Sequence, residues 1–217
     1  MPPAAEFDPP AIDPARPLLI VDVDEVLALF MQGFADFVAQ RGYELRLERF
    51  ALFQNLYRPG ELECLDIETG RILFNDFFRH GSEDMAPAPD AVDSLTALSR
   101  HASIVILTNA PDHAREPRSR WLVRHGMDYP LLINAGPKGG AVAALAARTT
   151  GPCAFVDDLI PNLDSAAEAA PAVHRFQLVA DPRLAALAPS APERHRRIDD
   201  WPSLREAIFR VLGGSAG

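Results

Sequence analysis

An α/β fold built on a parallel sheet is what this 217-residue chain predicts, on three observations. Short apolar runs recur from Leu18, Ser103, Pro130 and Cys153, stretches with helical spacing separate the later runs, and the runs end on polar residues. Alternating strand and helix signals of this kind imply parallel strands with helices on both faces. Ligands in such sheets bind beyond the carboxyl ends of the strands.

The first 17 residues are rich in proline and alanine without periodicity, which predicts an extended or disordered lead-in. LLIVDVDEVL, from Leu18, stays apolar up to Asp22, as expected of a central strand covered on both faces. Side chains two apart on a strand share a face, so Asp22 and Asp24 are expected to project together just past its end. Leu27 to about Arg41 carries Phe30, Phe34, Phe37 and Val38 at helical spacing, an aromatic face suited to packing.

The texture then changes. ELECLDIETGRIL from Glu61 predicts a hairpin turning at Glu68, Thr69 and Gly70, and FNDFF from Phe74 a short helix. Residues 28–86 are too long for a loop, so they are expected to form an inserted module. Asp90 to Arg100 is amphipathic and leads into the buried strand SIVILTN from Ser103. A helix over about Ala114 to His125, a short strand PLLIN from Pro130, an alanine-rich helix over Gly139 to Arg148 and the strand CAFVDD from Cys153 follow. AAEAAPAV is expected to be helical as far as its proline, and FQLVA from Phe176 to be an edge strand. Pro202 to Leu212 supplies a last helix, with Asp199 or Asp200 near its start and Gly213 and Gly214 after its end. Residues 18–27 and 87–213 thus form the expected core, a Rossmann-like parallel sheet with helices on both faces, and 214–217 a flexible tail.

The composition, 48% hydrophobic and 24% charged, is that of an ordinary globular protein. A formal net charge of −9 argues against a nucleic-acid backbone or an anionic membrane as the main partner. A local basic pocket can still hold a small phosphate. Cys64 and Cys153 lie far apart without metal-ligand spacing and are expected to be reduced thiols. No basic segment followed by an apolar one opens the sequence, and no apolar stretch nears the roughly 20 residues of a membrane span, so the expected location is the cytoplasm.

Six side chains at run ends carry the chemistry: Asp22, Asp24, Thr108, Lys138, Asp157 and Asp158. Taken singly, each has an ordinary structural role as a loop acid, a strand-end cap, a solvated helix-start lysine or an N-capping pair. Together they supply what phosphoryl transfer to a carboxylate requires. Asp22 is the candidate nucleophile, and its aspartyl-phosphate would be hydrolysed in a second step. Asp24 can protonate the leaving alcohol and then take a proton from the attacking water. Repulsion between carboxylates and phosphoryl oxygens makes cations mandatory. Asp157 and Asp158 with Asp22 form an all-oxygen set suited to Mg²⁺, with Asp158 the better direct ligand. Lys138 at a helix start, the Thr108 hydroxyl and the Asn109 amide are expected to hold the phosphate.

This constellation resembles the phosphatase branch of the haloacid dehalogenase superfamily. Asp22, Val23 and Asp24 match its first motif, Thr108 after SIVIL its second, Lys138 its third, and Asp157 with Asp158 its fourth. The resemblance covers about Leu18 to Leu212. It implies Mg²⁺ held by the Asp22 carboxylate, the Asp24 backbone carbonyl and Asp158, with Asp157 assisting. It also implies that the insertion over 28–86 is a mainly helical cap over the active site, between the first and second motifs. The dehalogenases lack the acid two residues after the nucleophile, so Asp24 points to phosphate esters. The chain departs from the family in having Glu25 and Val26 where Gly and Thr are common, and Asn162 where many members place another acid. A looser similarity to the 5′(3′)-deoxyribonucleotidases lies in DVDEVLALF, the cap length and RWLVRHG from Arg120. It implies a small phosphorylated metabolite, with a nucleotide among the candidates, and would give Phe30, Phe34 or Trp121 a base to stack on. Arg115, Arg118, Arg120 and Arg124 are further candidates for holding an anion.

The leading expectation is a Mg²⁺-dependent phosphatase of a small phosphomonoester. A phosphomutase and a catalytically silent binding or regulatory protein are the alternatives. A phosphoacceptor signalling domain is rejected on order: in that family the acidic pair comes early in the chain and the lysine last, whereas here Asp157 and Asp158 follow Lys138. A P-loop hydrolase is rejected because no GxxxxGK[ST] occurs.

Overall fold

In chain order the elements are β1 (Leu18–Val21), α1 (Phe30–Ala39), β2 (Glu44–Leu45), β3 (Leu56–Tyr57), α2 (Ile67–His80), α3 (Ala91–Ser99), β4 (Ser103–Asn109) and α4 (Arg115–Arg124), then β5 (Leu131–Asn134), α5 (Gly139–Ala146), β6 (Cys153–Asp157), α6 (Ile160–Ala169), β7 (His174–Gln177), α7 (Pro182–Ala185), β8 (Arg196–Arg197) and α8 (Trp201–Val211). They come from a computed structural model that describes residues 12–213. The lead-in up to residue 11 and the tail over 214–217 lie outside the described residues.

Six strands form one sheet in the order β5-β4-β1-β6-β7-β8, and every neighbouring pair is parallel. The predicted α/β class with a parallel core is therefore the observed one. Strand alternation divides the buried side chains between two faces. Leu19, Val21, Ile104, Ile106, Ala154 and Val156 join a core with α1, α2, α3 and α8, while Leu18, Ile20, Val105, Leu107 and Phe155 join one with α5 and α6. Coverage on both sides explains why these strands are apolar throughout.

Register places the site. Val21 pairs with Ile106 on one side and Val156 on the other, so β1, β4 and β6 end together at the centre of the sheet. Asp22 N–H still donates to the Val156 carbonyl at 3.0 Å, which puts Asp22 beside Asp157.

Four local expectations differ from the fold. Residues 67–80 are one helix, not a hairpin followed by a helix. The Asp66 carboxylate caps it, accepting from Thr69 N–H and from the Thr69 hydroxyl, both at 2.8 Å. Gly70 is a close approach and no turn: a Cβ there would lie 2.9 Å from the Phe53 ring. Second, β7 is internal, because Arg196–Arg197 pairs outside it. A two-residue charged edge strand leaves no hydrophobic pattern to read. Third, the helix after β6 starts at Ile160, well before AAEAAPAV. Fourth, the described end of the lead-in is packed: Ile12 is buried, Pro17 C=O accepts from Ser103 N–H at 2.8 Å, and Arg16 Nη2 donates to the Ser99 carbonyl at 2.6 Å. Backbone pairing holds that segment, so hydrophobic periodicity could not announce it.

Candidate active site

Sharp chain reversal after β1 sets the first two acids. The Val23 carbonyl accepts from Val26, Leu27 and Ala28 N–H groups at 3.2, 2.8 and 2.9 Å, and Glu25 takes a left-handed backbone with φ of 59°. Such a conformation disfavours side chains with a Cβ by roughly 1–2 kcal/mol. Glu25 offsets this with its contacts. Its Oε1 accepts from Met31 N–H at 2.6 Å, in the first turn of α1, and Oε2 accepts from Asp181 N–H at 3.3 Å. The carboxylate thus ties the turn to α1 and to the start of α7.

Burial pushes the Glu25 carboxyl up to about 7 against those two hydrogen bonds. A carboxyl whose folded pKa is raised contributes stability that is fully present below its unfolded value and lost as pH rises through the folded one. Glu25 therefore weakens the fold progressively from pH 4.5 to about 7, by up to roughly 3 kcal/mol. Glu25→Gln should remove that slope. The Tm advantage of the variant over wild type is expected to grow by roughly 6–12 °C between pH 4.5 and 7.5; a difference independent of pH would contradict this.

Lys138 stands before α5, and Gly139 lets that helix end approach α6. A Cβ on Gly139 would meet the Ser165 carbonyl oxygen at 2.1 Å, and Gly139 N–H donates to Ser165 Oγ at 3.0 Å. The lysine is fully buried, with Nζ 2.7 Å from both Asp22 Oδ1 and Asp157 Oδ2. Burial works against the charged amine, but Asp157 and Asp22 outweigh it and hold the lysine above its ordinary range.

The acidic pair divides its work. Asp157 is inaccessible, and its Oδ1 accepts from Leu159 N–H at 2.9 Å and Asn162 Nδ2 at 3.0 Å. Both its oxygens are committed, so Asp157 positions Lys138 and the turn into α6. Asn162 is part of that brace. Asp158 faces the cavity, and its carboxyl is raised well above the usual range by burial and then by Asp157 and Asp22. Gln177 Nε2 donates to the Asp158 carbonyl at 3.0 Å and to the Pro189 carbonyl at 2.9 Å, which fixes the backbone of that residue.

Asp24 is held from α4. Arg118, 1% exposed, places Nη2 2.8 Å from both Asp24 carboxylate oxygens, and its guanidinium lies 5.2 Å from the Phe78 ring centroid. Burial raises the Asp24 carboxyl and Arg118 partly counters it, leaving it at about 6. The four arginines singled out in α4 separate: Arg118 reaches Asp24 without lining the cavity, Arg115 is exposed, and Arg120 and Arg124 pair with Glu83 at 2.6 and 3.1 Å. Arg118 shares its buried face with Trp121 and Leu122, the i, i+3, i+4 signal that could have picked it out.

A cavity of about 450 Å³ gathers Asp22, Asp24, Glu25, Asn109, Lys138, Asp158 and Asn162. Thr108 is fully buried beside it, and its hydroxyl has no protein partner. It shares its face of β4 with Ile104 and Ile106 and does not line the cavity, whereas Asn109 does. Asn109 Nδ2 donates to the Gly136 carbonyl at 2.9 Å. Of the aromatics considered for stacking, Phe30 lines the cavity; Phe34 is wholly core, and Trp121 is buried with Nε1 donating to the Met85 carbonyl at 2.8 Å.

Among the described residues, carboxylate oxygens of Asp22, Asp157 and Asp158 lie within 4.8 Å of one another. An all-oxygen set of this kind fits Mg²⁺, which bonds hard oxygen donors and uses one or two carboxylates. Asp158 is the carboxylate of the acidic pair left free to bind it.

A parallel α/β sheet with acids and a buried lysine at its central strand ends defines a Rossmann-like protein with a strand-end site. No protein-family model matches the chain, and no curated protein matches it in sequence. Solved structures do. A haloacid dehalogenase-like family protein from Streptococcus pneumoniae superposes with a TM-score of 0.58 at 12% identity, covering 88% of this chain and 97% of that one. The Bacillus subtilis protein YfnB, solved bound to magnesium, gives 0.56 at 13% identity over 91% and 99% of the two chains. A defluorinating L-2-haloacid dehalogenase gives 0.55 at 16% identity over 90% and 95%. The chain has the haloacid dehalogenase-like fold, in agreement with the motif resemblance.

Proposed function

We propose that the protein is a Mg²⁺-dependent phosphatase that hydrolyses a small phosphomonoester through an aspartyl-phosphate on Asp22. The observation that carries this is the meeting of Asp22, Asp24, Lys138 and Asp158 in one cavity, with a second acid two residues after the nucleophile. Since this fold also serves dehalogenation, Asp24 is what favours phosphate esters.

Asp22 would attack phosphorus with one carboxylate oxygen while the bond from phosphorus to the ester oxygen breaks. The leaving oxygen takes the Asp24 proton. Water then attacks the phosphoenzyme, gives its proton to Asp24, and releases phosphate and free Asp22. Lys138 and Asn109 would hold phosphoryl oxygens, with the uncommitted Thr108 hydroxyl adjacent. Mg²⁺ bound by Asp22, the Asp24 backbone carbonyl and Asp158 would supply the charge that two carboxylates and a phosphate require. Residues 28–86, which contribute Phe30, Phe50 and Phe74 to the cavity wall, would act as the cap.

Asp24 must be protonated for the first step, so kcat/KM should fall as pH rises through about 6 for esters with poor leaving groups. Asp24→Asn is expected to lower turnover of such esters by roughly 10² to 10⁴ and to flatten that limb. An unchanged rate would remove Asp24 from its role. Hydrolysis of a panel of phosphate esters with Mg²⁺ tests the proposal as a whole, and a panel without turnover at any divalent metal would favour a silent binding protein.

A further inference from the structure

Phosphoryl chemistry leaves most of the cavity wall unused. The remainder is apolar and drawn from separate elements: Phe30 and Met31 open α1, Phe50 and Leu52 lie between β2 and β3, Phe74 sits on α2 and Leu184 on α7. Among the described residues, the cavity wall includes no arginine, no lysine beyond Lys138, and no serine, threonine, tyrosine, histidine or glutamine. Its polar side chains are engaged within the protein, and what Lys138 and Asn109 have left is taken by the phosphoryl group. Lys138 is held by Asp22 and Asp157, Asp24 by Arg118, Glu25 by two backbone N–H groups, Asn109 by Gly136 and Asn162 by Asp157. Asp158 stays free, on the side where charge is needed.

The aromatic part of this wall is preformed. Phe30 and Phe74 have ring centroids 6.1 Å apart, and behind them Phe77 packs on Phe30 at 5.4 Å and Phe78 on Phe74 at 4.8 Å. Phe53 packs edge-on against Phe74 at 6.0 Å. Rings held on their far sides by other rings cannot turn away to admit polar partners.

Resting on the phosphatase reading, we infer that the substrate is the phosphomonoester of an apolar alcohol, alkyl or aryl, with no second anionic group. A sugar or nucleoside would bury hydroxyls or base-edge groups against carbon, and each unpaired group lowers binding by roughly 5- to 150-fold. A second phosphate or carboxylate would meet Asp24, Glu25 and Asp158 with no cation to receive it. Apolar carbon gains instead, by roughly fourfold for each methylene removed from water. The volume, about 450 Å³, falls within the roughly 300–1,000 Å³ of pockets that enclose small organic ligands. With no second hydroxyl to accept the phosphoryl group, water is its acceptor.

The test compares kcat/KM of the full chain with Mg²⁺ across n-alkyl phosphates from ethyl to octyl, with glucose 6-phosphate and a nucleoside monophosphate alongside. The expected result is a rise of roughly fourfold per methylene until the cavity is filled, with octyl phosphate at least about 100-fold above both polar esters. Phe50→Ala, a change at a half-buried ring, should lower the octyl-to-ethyl ratio by roughly tenfold or more. In a binding assay that needs no turnover, octylphosphonate should bind more tightly than methylphosphonate by a similar margin. A flat alkyl series, or preference for either polar ester, overturns this inference and leaves the phosphatase reading standing. Failure to hydrolyse any member overturns both.

Discussion

Asp22→Asn is expected to lower phosphate-ester turnover by roughly 10⁴- to 10⁶-fold, the scale seen when a covalent nucleophile is removed. The fold should survive. Asn has the same shape, the Asp22 N–H bond to Val156 is a backbone contact, and Lys138 keeps its pair with Asp157 at 2.7 Å. Loss of activity at an unchanged Tm would separate chemistry from stability. Activity within tenfold of wild type would place the nucleophile elsewhere.

Lys138→Met carries the second large effect, this time on both stability and rate. The amine lies between two buried carboxylates, and its removal leaves Asp22 and Asp157 facing each other without a counter-charge. Breaking a buried pair in this way costs about 3–5 kcal/mol, which corresponds to a Tm lower by roughly 6–20 °C for a chain of this size. Turnover should fall by at least roughly 10², as on loss of one preorganised partner of a transition-state charge. Adding Asp157→Asn to the lysine variant removes one orphaned charge and should restore part of the stability without restoring the rate. Thermal melts of wild type and the two variants check this, and a Lys138→Met variant that melts like wild type would show that the lysine is not holding the acids.

The acids and the lysine were legible in sequence because each follows or faces an apolar run that register brings to a common end. Leu18–Val21 and Cys153–Asp157 read as buried strands, and strands buried on both faces leave their first polar residues at the edge of the sheet. What stayed hidden depends on which way a side chain turns. Asp157 and Asp158 are adjacent and chemically identical, yet one is sealed beneath Lys138 and the other faces the cavity. Arg118 lies among four arginines of one helix, and only the helix face separates it from the pairs made with Glu83. Thr108 stands at the end of its strand as expected, fully buried next to the cavity-lining Asn109.

Residues 28–86 were harder to read for a different reason. The hairpin expected at Glu68–Gly70 rested on a glycine, whose actual role is to let Phe53 approach α2. Phe50–Leu52 has no regular periodicity and offered no signal, although it supplies part of the apolar cavity wall. Glu25 is a departure from the family pattern with a structural account: its carboxylate joins three segments around the site.

Rapid mixing of wild-type protein with an alkyl phosphate and Mg²⁺, quenched in acid within a turnover and mapped by peptide mass spectrometry, tests the central claim most directly. The phosphoryl group is expected on the peptide carrying Asp22, at that side chain, and absent from Asp22→Asn. Phosphate released with no phosphoryl group on Asp22, or a phosphoryl group on any other residue, would contradict it.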